Sequence, residues 1–449
     1  GVSANIWTKT YGGAGDDYAN FIDTTADGCY IIIGSTNSFG NGDYDIWVLK
    51  IDTLGDTVWT KTYGDSLVDE FGNCIRKVPG GFLILGMKEN SAWLLRTDEL
   101  GDTLWTKYFS ENFCFFNYCF DGNYVFVGEF NDTAVIAKVN TNGEIEWMHN
   151  DYEEIAYKGM RKFLYVVQTQ DNGYAVLGRP WNHGGTCCVK LDSSGNPVWC
   201  NEFGPAFANV DVWGYVGYSI LPMGKDSLFI SGYWLTSIGA SGWTYAVVFC
   251  VTSDTLYEIA NWGGNLYEYQ DGLNVAYYLQ KIDNTNWSVI GWINSPFGDK
   301  HVHFEMHLTD TIVCKDYGTT YNEFGVNFVP TCDGGFILLG YTDSTKTGKR
   351  DIWVARIDSL GKGTQESINE SSQKFGPVFK LYPNPTRDRL NILIRDSPNY
   401  LTIYDISGRV IARFEHSVRV IDVRNYPAGV YFISVNGNRR FTQKFVIVR

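Results

Sequence analysis

The chain has 449 residues, 44% hydrophobic and 16% aromatic, with a net charge of −14. That apolar content supports a large core and excludes disorder, and no apolar run approaches the roughly 20 residues of a bilayer-spanning helix. Residues 375–449 hold 12 Lys and Arg against 5 Asp and Glu, so a +7 tail follows a −21 body that would repel nucleic acid and anionic membrane.

No initiator Met or signal-type apolar segment precedes Gly1, so an N-terminus processed after removal of an export signal is expected. The first recognisable phrase, IWTKTYGG at residues 6–13, returns as VWTKTYGD at 58–65 and LWTKYF at 104–109. A second phrase is a turn and an apolar run ending in glycine, such as DGCYIIIG at 27–34 and DGGFILLG at 333–340. It occurs seven times, with terminal glycines 52, 42, 50, 54, 59 and 49 residues apart. Each copy is followed by a run such as DIWVLKID at 45–52 or DIWVARID at 351–358, then by a tight turn and the Trp phrase. These segments are short, β-branched and aromatic, and bounded by Gly, Asn and Asp, which marks strands and hairpin turns. No repeat carries a capped 3.6-residue apolar period, so helices are expected to be nearly absent.

Four antiparallel strands in about 40–60 residues have the size of a propeller blade. A solenoid is the competing architecture, but it needs capped ends and none are visible. Seven sets of the first three strands are present, and the seventh lacks its Trp strand, which stands instead at residues 6–11. A ring closes if the first strand completes the last blade. The expected fold is therefore all-β: a seven-bladed β-propeller over residues 1–362, a polar linker over 363–376, and a small Ig-like β-sandwich over 377–449. The first 360 or so residues resemble loosely defined bacterial β-propeller repeat proteins, a pattern that names a fold more securely than an activity.

In the tail, Tyr382, Pro383, Asn384 and Pro385 precede alternating strands, DISGR holds Gly408, GVY holds Gly429 and Tyr431, and QKFVIV holds Lys444. In order and spacing these residues resemble the type A C-terminal sorting domain of the type IX secretion system. The resemblance implies passage through the outer membrane of a Gram-negative bacterium, the secretion machinery as partner, and an extracellular or cell-surface location. Such tails are commonly removed on export. The plain physical reading is an Ig-like domain without the address.

Four candidate ligands lie on HVHFEMH, where His301, His303, Glu305 and His307 alternate and so share one strand face. At about 3.3 Å per residue the outer two are too far apart for one ion, but two of them with a loop carboxylate suit zinc. The alternative is a degenerate strand with a polar face. Acidic-aromatic pairs (Asp17-Tyr18, Glu70-Phe71, Glu323-Phe324) open three repeats. Calcium is one reading, and recurrence favours a structural role in satisfying loop N–H groups. No resident cofactor is expected beyond these calcium and zinc alternatives.

The ten Cys include no CxxC pair. Cys188 and Cys200 face each other if Ser194 centres their hairpin, which makes them the candidate disulfide; small buried thiols are the alternative. Trp7, Trp59, Trp105, Trp147 and Trp199 hold one repeat position, as expected for packing between blades rather than for a ligand platform. No GxSxG, HExxH or phosphate-loop signature occurs.

The expected function is a non-enzymatic, surface-displayed or released propeller serving binding, adhesion or assembly. A protein, a surface glycan or another copy of the chain would be the partner, and the charge contrast between tail and body would suit head-to-tail filaments. A glycan lyase or hydrolase with its site at the channel mouth is the alternative. Carboxylates or His converging there from several blades would favour the enzyme, and a plugged mouth the binder. Residues 235–245 and 294–303, in the longest repeats, are the expected binding region.

Overall fold

The computed structural model describes residues 6–89, 91–150, 159–180, 185–203, 212–223, 227–238, 241–252, 256–262, 275–283, 286–294, 300–308, 312–318, 321–343, 349–364, 379–382, 386–394, 400–405, 409–415, 420–436 and 440–449. The chain divides into two compact units, Gly1–Ser367 and Ile368–Arg449. All described regular structure is strand, and no helix among the described residues is long and apolar enough to cross a membrane.

The first unit is seven four-stranded antiparallel sheets. Blade 1 comprises Asp17–Thr24, Tyr30–Thr36, Asp45–Ile51 and Thr57–Tyr63 in sequential order. Blades 2 to 6 repeat this order over residues 70–109, 112–149, 160–203, 212–262 and 275–317. Blade 7 takes Glu323–Pro330, Phe336–Thr342 and Asp351–Ile357 from its own repeat, and its fourth strand is Trp7–Tyr11. Trp7 pairs with Arg356 and Tyr11 with Ile352, so the phrase that opens the chain closes the ring. Consecutive blades pack face to face, and the first strand of blade 1 meets three strands of blade 7.

The second and third strands are apolar on both faces because each is sandwiched between neighbouring blades. Tyr30–Thr36 and Asp45–Ile51 are buried at every position. A fully buried Ile or Leu in such a layer contributes about 1.5–3 kcal/mol. The glycine ending the apolar run has a steric cause. Every first strand carries a β-bulge beside it, and a Cβ on Gly34 would stand 1.7 Å from the Tyr18 carbonyl oxygen.

The WTKTYG phrase and its Trp-bearing variants fasten blade 7 to blade 1, and blades 1, 2 and 3 each to the next. Trp7 lies against Gly55 in the third turn of blade 1, and Trp59, Trp105 and Trp147 lie against Gly101, Gly143 and Gly195. Lys9 pairs with Asp56 and Lys61 with Asp102 at 2.6 and 2.7 Å. The Tyr11 hydroxyl donates to the Gly55 carbonyl and that of Tyr63 to the Gly101 carbonyl, both at 2.6 Å. Gly55 has φ +74°, a conformation only glycine holds cheaply, and its missing Cβ leaves the room that the Trp7 ring needs. These tryptophans therefore pack between blades, as their repeat position implied.

The proposed Cys188–Cys200 bridge needs correction. A register shift between Lys190 and Leu191 pairs Cys200 with Val189 and Cys188 with Asn201. Neighbouring strand positions face opposite ways, so Cys188 and Cys200 sit on different faces. Both are free thiols, and Cys187 is the residue whose thiol meets Cys200.

In the second unit, Phe379–Tyr382, Arg389–Ile394 and Val420–Asp422 form one sheet. Val410–Glu415, Tyr400–Asp405, Gly429–Asn436 and Arg440–Ile447 form the other. Leu390, Ile392, Ile403, Ile433 and Phe445 fill the core of this small sandwich.

Candidate functional site

The bulges set the chemistry of the propeller axis. In blades 1, 3, 4 and 6 the residue after the bulge is aromatic: Phe21, Phe115, Tyr165 and Tyr278. Their rings meet across the axis. Phe115 stacks on Tyr165 at 4.0 Å, and Phe21 lies 6.0 Å from Phe115 and 6.1 Å from Tyr278. Contact between non-adjacent blades means that these rings plug the channel. Arg76 of blade 2 completes the plug, its guanidinium 4.4 Å from the Phe21 ring and 5.8 Å from that of Phe115, a desolvated cation–π arrangement. Burial holds the Tyr165 and Tyr278 phenols above their ordinary pKa, so they stay neutral.

Next to the plug is a cavity of about 430 Å³. Bulged residues Asn20, Tyr277 and Val326 line it with Tyr18, Tyr44, Phe71, Trp292 and Tyr341. The rings continue as an arc over blades 2, 1, 7, 6 and 5. Phe71 meets Tyr44 at 5.4 Å, Tyr44 meets Tyr18 at 6.2 Å, and Tyr18 meets Tyr341 at 5.8 Å. Tyr341 stacks on Phe324 at 4.7 Å, and Phe324 meets Trp292 at 5.4 Å. Trp292 meets Tyr277 at 5.8 Å, and Tyr277 stacks on Tyr218 at 4.5 Å. Two cations border the arc. Arg350 lies 5.2 Å from the Tyr18 ring and donates to its hydroxyl at 2.7 Å, and Lys300 lies 4.9 Å from Phe324. Burial pushes the Lys300 ammonium below its ordinary pKa. Among the described lining residues there is no carboxylate and no histidine.

The histidine strand does share a face, but it forms a buried charge network. Glu305 accepts from His303 at 3.2 Å and His307 at 2.8 Å, and His303 reaches Asp316 through its other nitrogen at 2.5 Å. Cys314 Sγ contacts Glu305 at 3.2 Å, and Trp287 stacks on His307 at 3.7 Å. Burial alone would lower the His303 pKa, but Asp316 and Glu305 outweigh it and raise it to about 9. The two histidines hold Glu305 well below the usual carboxylate range despite its burial. His301 stands apart, opposite Gly318 and beside Glu323. Among the described residues no group of three or more His, Cys, Asp or Glu side chains is placed to hold a metal.

Of the tail residues singled out in sequence, Pro383, Asn384, Pro385 and Gly408 lie outside the described residues. Tyr382 ends the strand Phe379–Tyr382, and Lys444 pairs in register with Phe432. Gly429 opens the strand Gly429–Asn436. Tyr431 stacks on Phe445 at 5.6 Å and donates to the Pro427 carbonyl at 2.9 Å. The expected binding segments at 235–245 and 294–303 lie partly outside the described residues.

Residues 380–449 match the secretion system C-terminal sorting domain family. No curated protein matches the chain. Among solved structures, it is similar to PorZ, a bacterial surface component of the type IX secretion system of Porphyromonas gingivalis. Identity there is 12% and the TM-score 0.42, over 95% of this chain and 59% of that one, so the chain spans less than two thirds of PorZ. The β-propeller domain of the Trilobed protease from Pyrococcus furiosus is 10% identical, with a TM-score of 0.45 over 79% of this chain and 98% of that one. The polysaccharide lyase Uly1 is 10% identical, with a TM-score of 0.46 over 73% of this chain and 88% of that one. The chain is thus a β-propeller that carries a type IX secretion C-terminal sorting domain, which directs it to the cell surface or the extracellular space.

Proposed function

We propose that this exported propeller is a non-enzymatic binding protein whose ligand seats on the aromatic arc at the plugged end of the ring. The observation that carries the reading is the cavity of about 430 Å³, walled by rings from four blades and bordered by Arg350. Concave, mostly apolar sites with a few fixed polar groups are where small ligands and chain segments bind. Aromatic rings are also the commonest anchors of binding energy. Polysaccharide fits best, because sugar rings lay C–H faces on the electron-rich faces of aromatic rings, and Tyr hydroxyls with Arg350 can serve the sugar oxygens. The charge contrast between tail and body supports self-association as a further use of the exported chain, which salt-sensitive sedimentation would test.

The test is calorimetric titration of the full chain with a panel of soluble polysaccharides, followed by chromatography of the mixture. Saturable binding that weakens roughly 10–100-fold in Tyr341→Ala and Trp292→Ala, with the polysaccharide intact, is expected. Binding indifferent to both substitutions would overturn the site. Chain cleavage would favour the lyase or hydrolase.

A further inference from the structure

The glycine of TYG marks a second kind of site, where one blade meets the next. A Cβ on Gly64 would stand 1.9 Å from Asp45 Oδ1 and 2.5 Å from Glu70 Oε2. A Cβ on Gly12 would stand 1.9 Å from Asp351 Oδ1 and 2.8 Å from Asp17 Oδ2. Asp45 and Asp351 hold the same register position, each preceding the residue paired with the tyrosine of TYG. Each thus faces the carboxylate that opens the next blade. At the third such seam His301 takes the aspartate's place, 2.5 Å from the Cβ position of Gly318, with Glu323 at 3.0 Å.

Neighbouring donors do not complete these carboxylate pairs. Asp45 is 1% exposed, and its Oδ1 has no hydrogen-bond partner, although Asn41 N–H donates to Oδ2. Glu70 is fully buried; Lys88 lies 2.9 Å from Oε1, and on the side of the pair Oε2 accepts only a long bond from the Asp65 N–H at 3.3 Å. At the other seam, Gly13 N–H and the Ser38 and Thr36 hydroxyls serve Asp17, while Asp351 Oδ1 is shut from solvent without a partner. Burial and the neighbouring Asp17 and Asp16 push the Asp351 pKa up to about 6. Burial, with Glu70 beside it, raises that of Asp45 too. Lys88 offsets the charge on the Glu70 side of the first pair, but Asp45 Oδ1 and Asp351 Oδ1 are left without a hydrogen-bond partner, and a carboxylate facing another in that state is costly.

We propose that the Asp45–Glu70 and Asp17–Asp351 seams each bind a calcium-like divalent cation, which locks blade 1 to blade 2 and blade 7 to blade 1. Oxygen-only donors select a hard cation, and two carboxylates completed by main-chain carbonyls and water suit Ca²⁺, which accepts irregular shells. So few charged ligands match the 10⁻⁴–10⁻³ M affinity range of extracellular calcium modules. The second site sits where the first strand latches the ring, so calcium would tighten closure of the exported protein.

The test is a thermal melt of the full chain in CaCl₂ against NaCl of matched ionic strength, with equilibrium dialysis of ⁴⁵Ca²⁺. A saturable rise of roughly 2–4 °C per site at tenfold excess over Kd is expected, with about two ions bound per chain. Asp45→Asn and Asp351→Asn should each lose one ion and part of the rise. No bound ion in wild type, or full binding in both variants, would overturn the proposal. So would a metal-free protein that loses stability as pH rises from about 4 to 6 and does not recover it with calcium, because each pair would then share a proton.

Discussion

Blades 1 and 6 solve the same packing problem with opposite chemistry. In blade 1 the third strand turns Trp47, Leu49 and Ile51 toward its neighbour. The equivalent positions in blade 6 are His303, Glu305 and His307, and Asp316 stands where blade 1 has Thr62. Both faces are buried. The apolar face gains from burial outright, whereas the ionic face must first offset the desolvation of its charges. Blade 6 also lacks the Trp of its last strand: Val313 lies beside Gly361, although Tyr317 still donates to the Gly361 carbonyl at 2.5 Å. A propeller repeat therefore tolerates exchange of its layer chemistry as long as strand register and the hydroxyl that fastens one blade to the next persist.

The largest effect should come from the latch that both blades depend on. Removing residues 1–12 strips blade 7 of its outer strand and of buried Trp7. The loss should exceed the roughly 4–5 kcal/mol that marks exceptional single substitutions, read as a collapse of cooperative thermal unfolding. Glu305→Ala should rank next, at about 3–5 kcal/mol, because it removes the buried carboxylate that both His303 and His307 bond and leaves His303 with Asp316 alone. Replacing His303, Glu305, His307 and Asp316 together by Trp, Leu, Ile and Thr should instead leave the denaturation midpoint unchanged or higher. A large loss would show that the ionic layer specifies blade 6.

The pH dependence separates the two layers further. The His303 pKa is raised from 6.5 to about 9, so its stabilisation is complete below pH 6.5 and fades as pH rises through about 9. Glu305 is depressed, so its contribution is present above about pH 4.5 and fades only as pH falls through its lowered folded value. Wild type should lose more of its melting temperature between about pH 6.5 and 9 than the apolar quadruple variant does. Parallel pH profiles would contradict the network.

Glycines give a smaller contrast. Gly55→Ala forces a Cβ into a left-handed turn and within 2.8 Å of the Trp7 ring, whereas Gly28, at φ +78°, has nothing within 4 Å. Gly28→Ala should cost about 1 kcal/mol for its backbone alone and Gly55→Ala clearly more, by denaturant titration. Least of all, Lys61→Ala should shift stability by about 0–1 kcal/mol, since its pair with Asp102 is exposed.

The strands, the four-strand unit and the ring closure were legible because hydrophobic runs and turn residues are local signals, and counting strands located the missing one at the front. The meaning of WTKTYG was half legible: repetition implied packing between blades, but only the fold shows that its Trp, Lys and Tyr meet the next blade's turn. The aromatic arc was not legible. Tyr18, Phe71 and Phe324 stood out as neighbours of repeated acids, but Tyr44, Trp292 and Tyr341 come from other segments of the repeat, and Tyr277 stands at a bulge that no short motif announces. A register shift likewise misplaced the cysteine pair by one residue and so by one face. The histidine strand's shared face followed from alternation, while its engagement with Asp316 depended on the partner strand's register.

Hydrogen exchange on the strand Trp7–Tyr11 tests the closed ring most directly. If this strand completes blade 7, its ladder amides should exchange as slowly as those of Asp351–Ile357, and both should become fast together when the protein unfolds. Rapid exchange of residues 7–11 while Asp351–Ile357 stays protected would contradict ring closure by the first strand.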